Sequence, residues 1–219
     1  MREGALQRGG SCAILNENDA KEGTDMEALF GKKKRRPGGT LVLYTTRHGA
    51  TQRYAERIAE PLDALIKDAA YMSGEKAKSY DAIVVGCCVY EGRIQGLDFL
   101  KRNAEALSGK RLVLYVVGIE DPALEDVRSG LEAQLREALG AAAETIPTFF
   151  LRGAIRWRSL GVLEQVKMRG WMKAIRAKER RTQTEEMLLE AEGGAIDFSD
   201  EADLAPIVHA ARFGAEGEA

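Results

Sequence analysis

The sequence predicts an α/β fold in which a doubly wound, five-stranded parallel sheet carries helices on both faces. Apolar runs and helical stripes alternate from residue 40 to residue 151, as strands joined by crossover helices do. The runs at 82–86 and 112–117 are continuously apolar, which is typical of strands buried on both faces. A Thr- and Gly-rich turn lies between the first strand and the first helix, where such folds bind ligands.

The elements are predicted in alternating order along the chain. The strands cover residues 41–45, 69–72, 82–86, 112–117 and 148–151, and the helices cover the stretch from the first turn to about 67, then 97–107 and 123–139. Pro61 lies inside the first helix, where its missing N–H predicts one lost hydrogen bond and a kink. A closing helix is expected up to residue 212, with Ser199 or Asp200 as its N-cap.

The turn after the first strand has the composition of an anion site. Thr45, Thr46 and Thr51 supply hydroxyl donors, and Gly49 lets the backbone approach a ligand closely. The free N–H groups and the dipole of the following helix favour a negative charge at this point. The turn lacks the Lys-Ser/Thr end of the Walker A loop and the three-glycine dinucleotide spacing, so we expect a single phosphate here.

Two more loops follow strands at the same predicted edge of the sheet. Ligands of doubly wound sheets bind beyond the carboxyl ends of the strands, where the strand order reverses. Each of these loops contains glycine, which lets the backbone come near a ligand. The candidate binding residues are Thr45, Thr46, Arg47, His48, Gly49, Ala50 and Thr51 in the first loop, Cys88, Val89, Tyr90, Glu91 and Gly92 in the second, and Gly118, Ile119, Glu120 and Asp121 in the third.

The first loop resembles the flavodoxin signature, with matches at Val42, Leu43, Tyr44, Thr46, Gly49, Thr51, Ala55 and Ile58. The resemblance implies a flavodoxin-like domain over residues 40–213 that binds FMN. In that family the first loop holds the FMN phosphate and the other two loops frame the flavin ring. Tyr90 is the only aromatic residue in the second and third loops, so at most one ring face would be covered by an aromatic side chain from them. A half-open flavin suits an enzyme with a sizeable substrate.

A strongly basic insert over residues 152–196 follows the last predicted strand. Met168, Trp171, Met172 and Ile175 recur at helical spacing, while Arg169, Lys173, Arg176 and Arg180 lie roughly opposite. A helix with this pattern is typical of a membrane surface, and an acidic partner or nucleic acid would also fit. A helix packed on the sheet with a solvated basic face is the alternative. We predict an anionic membrane surface and no nucleic acid partner.

The segment 151–157, Leu-Arg-Gly-Ala-Ile-Arg-Trp, resembles the branch of menaquinone-dependent protoporphyrinogen IX dehydrogenases, as do Tyr80-Asp81 and Val85-Gly86. This resemblance covers residues 41–212. It implies oxidation of protoporphyrinogen IX, a porphyrinogen of heme biosynthesis, with a membrane quinone as electron acceptor. Two features differ from this branch. The branch often has an Arg-Tyr pair in the second loop, of which this chain keeps only Tyr90. The branch often has basic or hydroxyl-bearing residues in the third loop, where this chain has Glu120 and Asp121.

Two other functions remain open at this stage. The chain could be a flavodoxin-type carrier that moves electrons on FMN without a substrate of its own, or a non-catalytic binding module. Flavodoxin carriers are strongly acidic, whereas this chain has a net charge of −2. No general base is evident, and His48 is assigned to the phosphate side rather than to catalysis.

Composition narrows the remaining possibilities. Among 219 residues there are 3 Cys and 2 His, too few for a disulfide framework or a His-based metal centre, so we expect no metal. No apolar run reaches the ~20 residues that span a bilayer, and no secretory signal is evident. We therefore expect a cytoplasmic protein that binds, at most, peripherally to the inner face of the cell membrane. Residues 1–39, with the basic run at 32–36, are predicted to be a disordered extension, and 214–219 a tail.

Overall fold

The computed structural model describes residues 38–214, and the predicted extension before residue 38 and the tail after 214 lie outside these residues. The strands are β1 Thr40–Tyr44, β2 Leu65–Asp68, β3 Ala82–Tyr90, β4 Arg93–Gln95, β5 Arg111–Gly118, β6 Thr148–Arg152, β7 Ala154–Arg156 and β8 Ala195–Asp197. The helices are α1 Ala50–Leu62, α2 Gly74–Ala77, α3 Leu97–Asn103, α4 Glu125–Leu139, α5 Ala142–Thr145, α6 Val162–Arg176, α7 Gln183–Glu190 and α8 Leu204–Phe213.

The central sheet has the strand order β2-β1-β3-β5-β6, and all four of these pairings are parallel. The order reverses between β1 and β3, which is the switch point where such sheets bind ligands. Short β4 adds an antiparallel pairing to the end of β3, a feature that the sequence pattern did not predict. The predicted doubly wound α/β fold is otherwise confirmed.

Helices cover both faces of this sheet, and each face has its own apolar core. On one face, Ile83, Leu100 and Leu114 belong to a buried cluster with residues of α3 and α4. On the other, Ile58 of α1 and Ile207 of α8 pack over Val42, Val84 and Val113. Burial on both sides explains why β3 and β5 are apolar without alternation.

Gly86 in β3 leaves space for the ring of Tyr115 close to the start of helix α1. A Cβ atom at Gly86 would lie 2.2 Å from that ring, so only glycine fits there. The Tyr115 hydroxyl is thereby placed to donate to the Thr51 carbonyl over 3.1 Å, at the start of α1.

The second strand was predicted wrongly. The first helix ends at Leu62 rather than near residue 67, and β2 runs from Leu65 to Asp68, before the predicted stretch. Leu65 and Ile66 fitted a helical stripe but belong to the strand. Pro61 lies in the last turn, and Asp63 follows in the left-handed region with φ 47°, so the chain leaves the helix there.

Three helix boundaries also differ from prediction. α3 ends at Asn103, and α4 begins at Glu125 because the Asp121 side chain accepts from the Ala123 N–H (2.9 Å), which makes a turn first. Neither Ser199 nor Asp200 caps α8, which begins at Leu204. Ser199 donates to Asp197 instead, and Asp200 accepts from the Ala202 N–H over 2.9 Å.

The basic insert folds into a small unit at the end of the sheet. Strands β7 and β8 form an antiparallel pair at its base, and α6 and α7 lie between them in sequence. Trp157, Met172, Ile175 and Leu188 are buried together, with Met168 and Trp171 packed against them. The apolar stripe of the insert helix is therefore core and does not itself face a membrane. The contact of the insert with an anionic membrane stays a prediction.

The predicted cationic face of this helix also changes. Arg176 is exposed but pairs with Glu192, and Arg180 lies beyond the helix end. Of that group, Arg169 and Lys173 are therefore the two exposed cations on α6 without a partner in the described residues.

Candidate functional site

A cavity of about 680 Å³ opens at the carboxyl ends of β1, β3, β5 and β6. It lies beside the point where the strand order reverses, as the topology requires. The cavity is lined by residues of all three predicted loops: Thr46, Arg47, His48, Ala50 and Thr51, then Cys88, Val89, Tyr90, Glu91 and Gly92, then Gly118, Ile119 and Glu120. The structure thus brings most of the candidate binding residues to one place.

Thr45, Gly49 and Asp121 do not line this cavity, and each shapes a loop instead. Thr45 donates its N–H to the Gly86 carbonyl over 2.8 Å. Gly49 has φ 84° and donates its N–H to the Thr46 hydroxyl oxygen over 3.0 Å, which closes the first loop. The Asp121 carboxylate serves the turn before α4 and lies 3.9 Å from the Arg152 guanidinium.

The start of α1 forms a cradle for an anion. Thr51 is 1 % exposed, and its hydroxyl oxygen has no hydrogen-bond partner among residues 38–214. A buried hydroxyl without a partner costs about 1–3 kcal/mol, so a ligand that satisfies it is favoured. The first N–H groups of this 13-residue helix have no partner within the helix and add their dipole. The cradle therefore fits a phosphate group.

Charged side chains surround the one aromatic ring of the second loop. The Arg47 guanidinium lies 4.7 Å from the centre of the Tyr90 ring, and the Lys167 ammonium lies 5.4 Å from it. Lys167 also bonds the Tyr90 hydroxyl (3.3 Å) and the Glu91 carboxylate (2.7 Å). The hydrogen bond from Lys167 lowers the pKa of Glu91, so this carboxylate stays ionised at neutral pH.

Arg152, at the end of β6, connects the third loop to the insert. Its guanidinium donates to the Thr184 hydroxyl over 2.8 Å and to the Ile119 carbonyl over 3.4 Å, and it stacks 3.7 Å from the Phe198 ring centre. Glu120 lines the cavity beside it. Burial raises the pKa of the Glu120 carboxyl, and the nearby Glu185 carboxylate raises it further.

Helix α6 forms an outer wall of the cavity that sequence reasoning missed. Glu164, Lys167, Met168 and Trp171 line the cavity from this helix. The Glu164 carboxylate lies 3.8 Å from Nδ1 of His48, so α6 contacts the first loop as well as the second. The Met168–Trp171 spacing was visible in the sequence, but nothing in a single chain marks which cavity such a stripe faces.

Further lining comes from β6, from the residues after it and from α4, none of which the motifs marked. Gly153, Ala154 and Ile155 follow the last strand of the central sheet, whose carboxyl end the topological rule also covers and could have indicated. Val127, Leu131 and Gln134 of α4 complete the opposite side. These additions make the walls predominantly apolar.

The adjacent cysteines have the properties of packing residues. Cys87 is fully buried, and burial raises the pKa of the Cys88 thiol, which disfavours a reactive thiolate. Among residues 38–214, no cluster of three or more His, Cys, Asp or Glu side chains could hold a metal ion. In the same part of the chain, no helix has the length and apolar character to cross a bilayer.

Several solved flavodoxin and flavoprotein structures are similar to part of this chain, each with a TM-score below 0.5. Flavodoxin 2 from Bacillus cereus is 22 % identical, with a TM-score of 0.38 over 52 % of this chain and 84 % of its own. Two-electron reduced Megasphaera elsdenii flavodoxin is 16 % identical, with a TM-score of 0.38 over 52 % of this chain and 82 % of its own. A Lactobacillus acidophilus flavoprotein in complex with FMN is 14 % identical, with a TM-score of 0.34 over 52 % of this chain and 92 % of its own. No match was found among curated protein sequences.

The family assignment rests on sequence rather than on these scores. The flavodoxin domain profile matches residues 41–183, which include all three loops, the cradle at α1 and helix α6. Together with the unsatisfied Thr51 hydroxyl, this match supports FMN as the cofactor. The chain belongs to the flavodoxin domain family.

Proposed function

We propose that this protein is an FMN-dependent oxidoreductase that holds a second, largely apolar molecule against the flavin. FMN, when bound, supplies hydride and single-electron chemistry, and the protein contributes binding, orientation and electrostatics. One observation carries the proposal: Met168 and Trp171 of helix α6, with Leu160 just before it, extend the cavity beyond the three loops that would hold FMN. A carrier that exchanges electrons through an exposed ring edge has no need of this wall.

The roles of the chain's own residues follow from their positions. The Thr51 hydroxyl and the first N–H groups of α1 hold the phosphate, and the second and third loops frame the ring. The contacts Lys167–Glu91 and His48–Glu164 connect α6 to the second and first loops at the rim of the cavity.

Within this proposal, the substrate is a porphyrinogen such as protoporphyrinogen IX, and the electron acceptor is a membrane quinone. The apolar walls suit a large, poorly soluble ring system. Arg47 offers a cation at the rim for a carboxylate group. The sequence similarity at residues 151–157 supports the same substrate, because this segment leads into the insert that forms the wall.

A flavodoxin-type electron carrier is the second candidate, and family membership alone is equally consistent with it. The ion pair between Lys167 and Glu91 favours this function, because it brings α6 over Tyr90, where a bulky donor would otherwise enter.

The identity of the cofactor is tested by denaturing the protein and identifying the flavin that it releases. We expect the purified protein to be yellow and to release FMN, not FAD, on denaturation, because the cradle at α1 has room for one terminal phosphate and no second glycine fingerprint follows. Chromatography of the released flavin against both standards decides the identity. Release of FAD, or no flavin after incubation with FMN, would contradict the site assignment.

The substrate is tested by rapid mixing. When oxidised holoprotein meets protoporphyrinogen IX under anaerobic conditions, we expect the flavin absorbance to bleach, because each FMN accepts two of the six electrons that the porphyrinogen must lose. Porphyrin fluorescence should appear only once a quinone reoxidises the flavin and three such two-electron steps are complete. Reoxidation by a short-chain quinone should then restore the absorbance. A flavin that stays oxidised with the porphyrinogen but exchanges electrons with a reductase supports the carrier instead.

A further inference from the structure

The outward face of α6 exposes three large aliphatic side chains in a row. Val162 is 82 % exposed, Leu163 70 % and Val166 55 %. Val162 and Val166 are one helical turn apart, and Leu163 lies beside them, so the three form one apolar ridge. Single exposed aliphatic residues are common on protein surfaces, but a contiguous group at the edge of a binding cavity indicates an interaction site.

The same face becomes cationic in its last two turns. Arg169 and Lys173 continue the line of Val162 and Val166, and both are exposed. Neither side chain has a hydrogen bond or ion pair within residues 38–214. The only acidic residue of this helix, Glu164, lies near His48 on the cavity side. The outward face therefore has an apolar first half and an unneutralised basic second half.

Helix α6 cannot turn this face inward, because its other side is already packed. Met172 and Ile175 are fully buried against Trp157 and Leu188. Lys167, next to Val166 in sequence, lies at the cavity and bonds Glu91. Whatever contacts the outward face is thus held beside the mouth of the cavity.

We propose that the outward face of α6 docks on an anionic lipid bilayer, with Val162, Leu163 and Val166 at the headgroup boundary and Arg169 and Lys173 over lipid phosphates. An apolar ridge next to unpaired cations is the combination that binds such surfaces. A specific protein partner is a poorer fit, because interface cores are enriched in aromatic residues and this face has none.

Docking in this way would bring the cavity mouth to the membrane, where an apolar substrate or quinone is dissolved. In that respect the inference rests on the proposed function. The contact itself depends only on the exposed side chains of α6, so the two can fail separately.

Vesicle flotation tests the docking with the holoprotein. We expect it to float with phosphatidylcholine vesicles that contain phosphatidylglycerol. It should float less as salt rises, because the length over which charges attract each other shortens to about 8 Å at physiological ionic strength. The variant V162S/L163S/V166S should bind roughly ten-fold more weakly or worse. R169E/K173E should lose at least about 25-fold, since each cation near an anionic surface contributes about five-fold.

Two matched controls separate this face from general surface effects. Phe213→Ser removes an exposed apolar side chain from α8. K76E/K101E reverses two exposed lysines on α2 and α3, whose side chains have no partner within the described residues. Both controls should float like the parent, and all variants should retain the FMN spectrum, because none of these side chains lines the cavity.

The outcomes distinguish the possible occupants of this face. Equal flotation of parent and V162S/L163S/V166S, or no flotation of the parent at low salt, overturns the proposal. A concentration-dependent dimer in sedimentation velocity that the triple variant abolishes, without vesicle binding, assigns the face to a second copy of the chain. Flotation without bound FMN would contradict the proposed function and leave the docking intact.

Discussion

Replacement of Thr51 by Val should weaken FMN binding by about 1.5–3 kcal/mol, the usual value of a hydrogen bond to a charged group. This loss corresponds to roughly a 10- to 150-fold higher Kd. The hydroxyl of Thr51 is buried at the start of α1 and has no partner in the described part of the chain. Removing it from the apoprotein should therefore leave the free energy of unfolding unchanged or raise it. Flavin fluorescence titration and urea unfolding measure the two quantities.

Two companion variants make this test specific. Thr51→Ser keeps the hydroxyl and should retain most of the affinity. Thr46→Ala acts differently, because the Thr46 oxygen accepts from the Gly49 N–H at 3.0 Å and shapes the loop. Combined with Thr51→Ala, it should weaken FMN binding by roughly 2–6 kcal/mol. An unchanged Kd in this double variant would mean that the phosphate binds elsewhere.

The fold was predictable because strand burial leaves a direct signal in composition. β3 and β5 are apolar along their length, and each is followed by a glycine-containing loop, so the sheet and its binding edge could be located from the chain alone. β2 could not. Its residues Leu65 and Ile66 continue the spacing of α1, and only the left-handed Asp63 shows where the helix stops. A four-residue edge strand gives too short a pattern to outweigh a helical one.

The site was predictable only where backbone geometry dictates residue type. Gly49 and Thr51 are needed by the cradle, so a local motif identifies them. Met168 and Trp171 belong to the cavity wall through tertiary packing of the insert, which pairs β7 with the distant β8. Spacing correctly identified an apolar stripe on α6, but the choice between core and membrane depends on what covers the stripe, and no local pattern states that.

Arg152→Leu should lower the free energy of unfolding by about 2–3 kcal/mol, because a single guanidinium joins the third loop to the insert. The change removes charged hydrogen bonds to Thr184 and to the Ile119 carbonyl, and the cation–π contact with Phe198. Nε of Arg152 is buried without a partner among residues 38–214, and its removal recovers part of this cost. Urea unfolding of the apoprotein measures the difference.

The same change should also affect the cofactor. Without Arg152, the loop that carries Ile119 and Glu120 loses its tie to α7, so we expect FMN binding about ten-fold weaker, equivalent to roughly 1.4 kcal/mol. Arg156→Leu is the matched control, because Arg156 is exposed and its side chain has no partner in the described residues. It should alter neither quantity. Thr184→Ala should reproduce only part of the Arg152→Leu effect, since the Ile119 and Phe198 contacts remain. If Arg152→Leu destabilises the fold but leaves the Kd for FMN unchanged, Arg152 supports the insert alone and does not position the flavin loop.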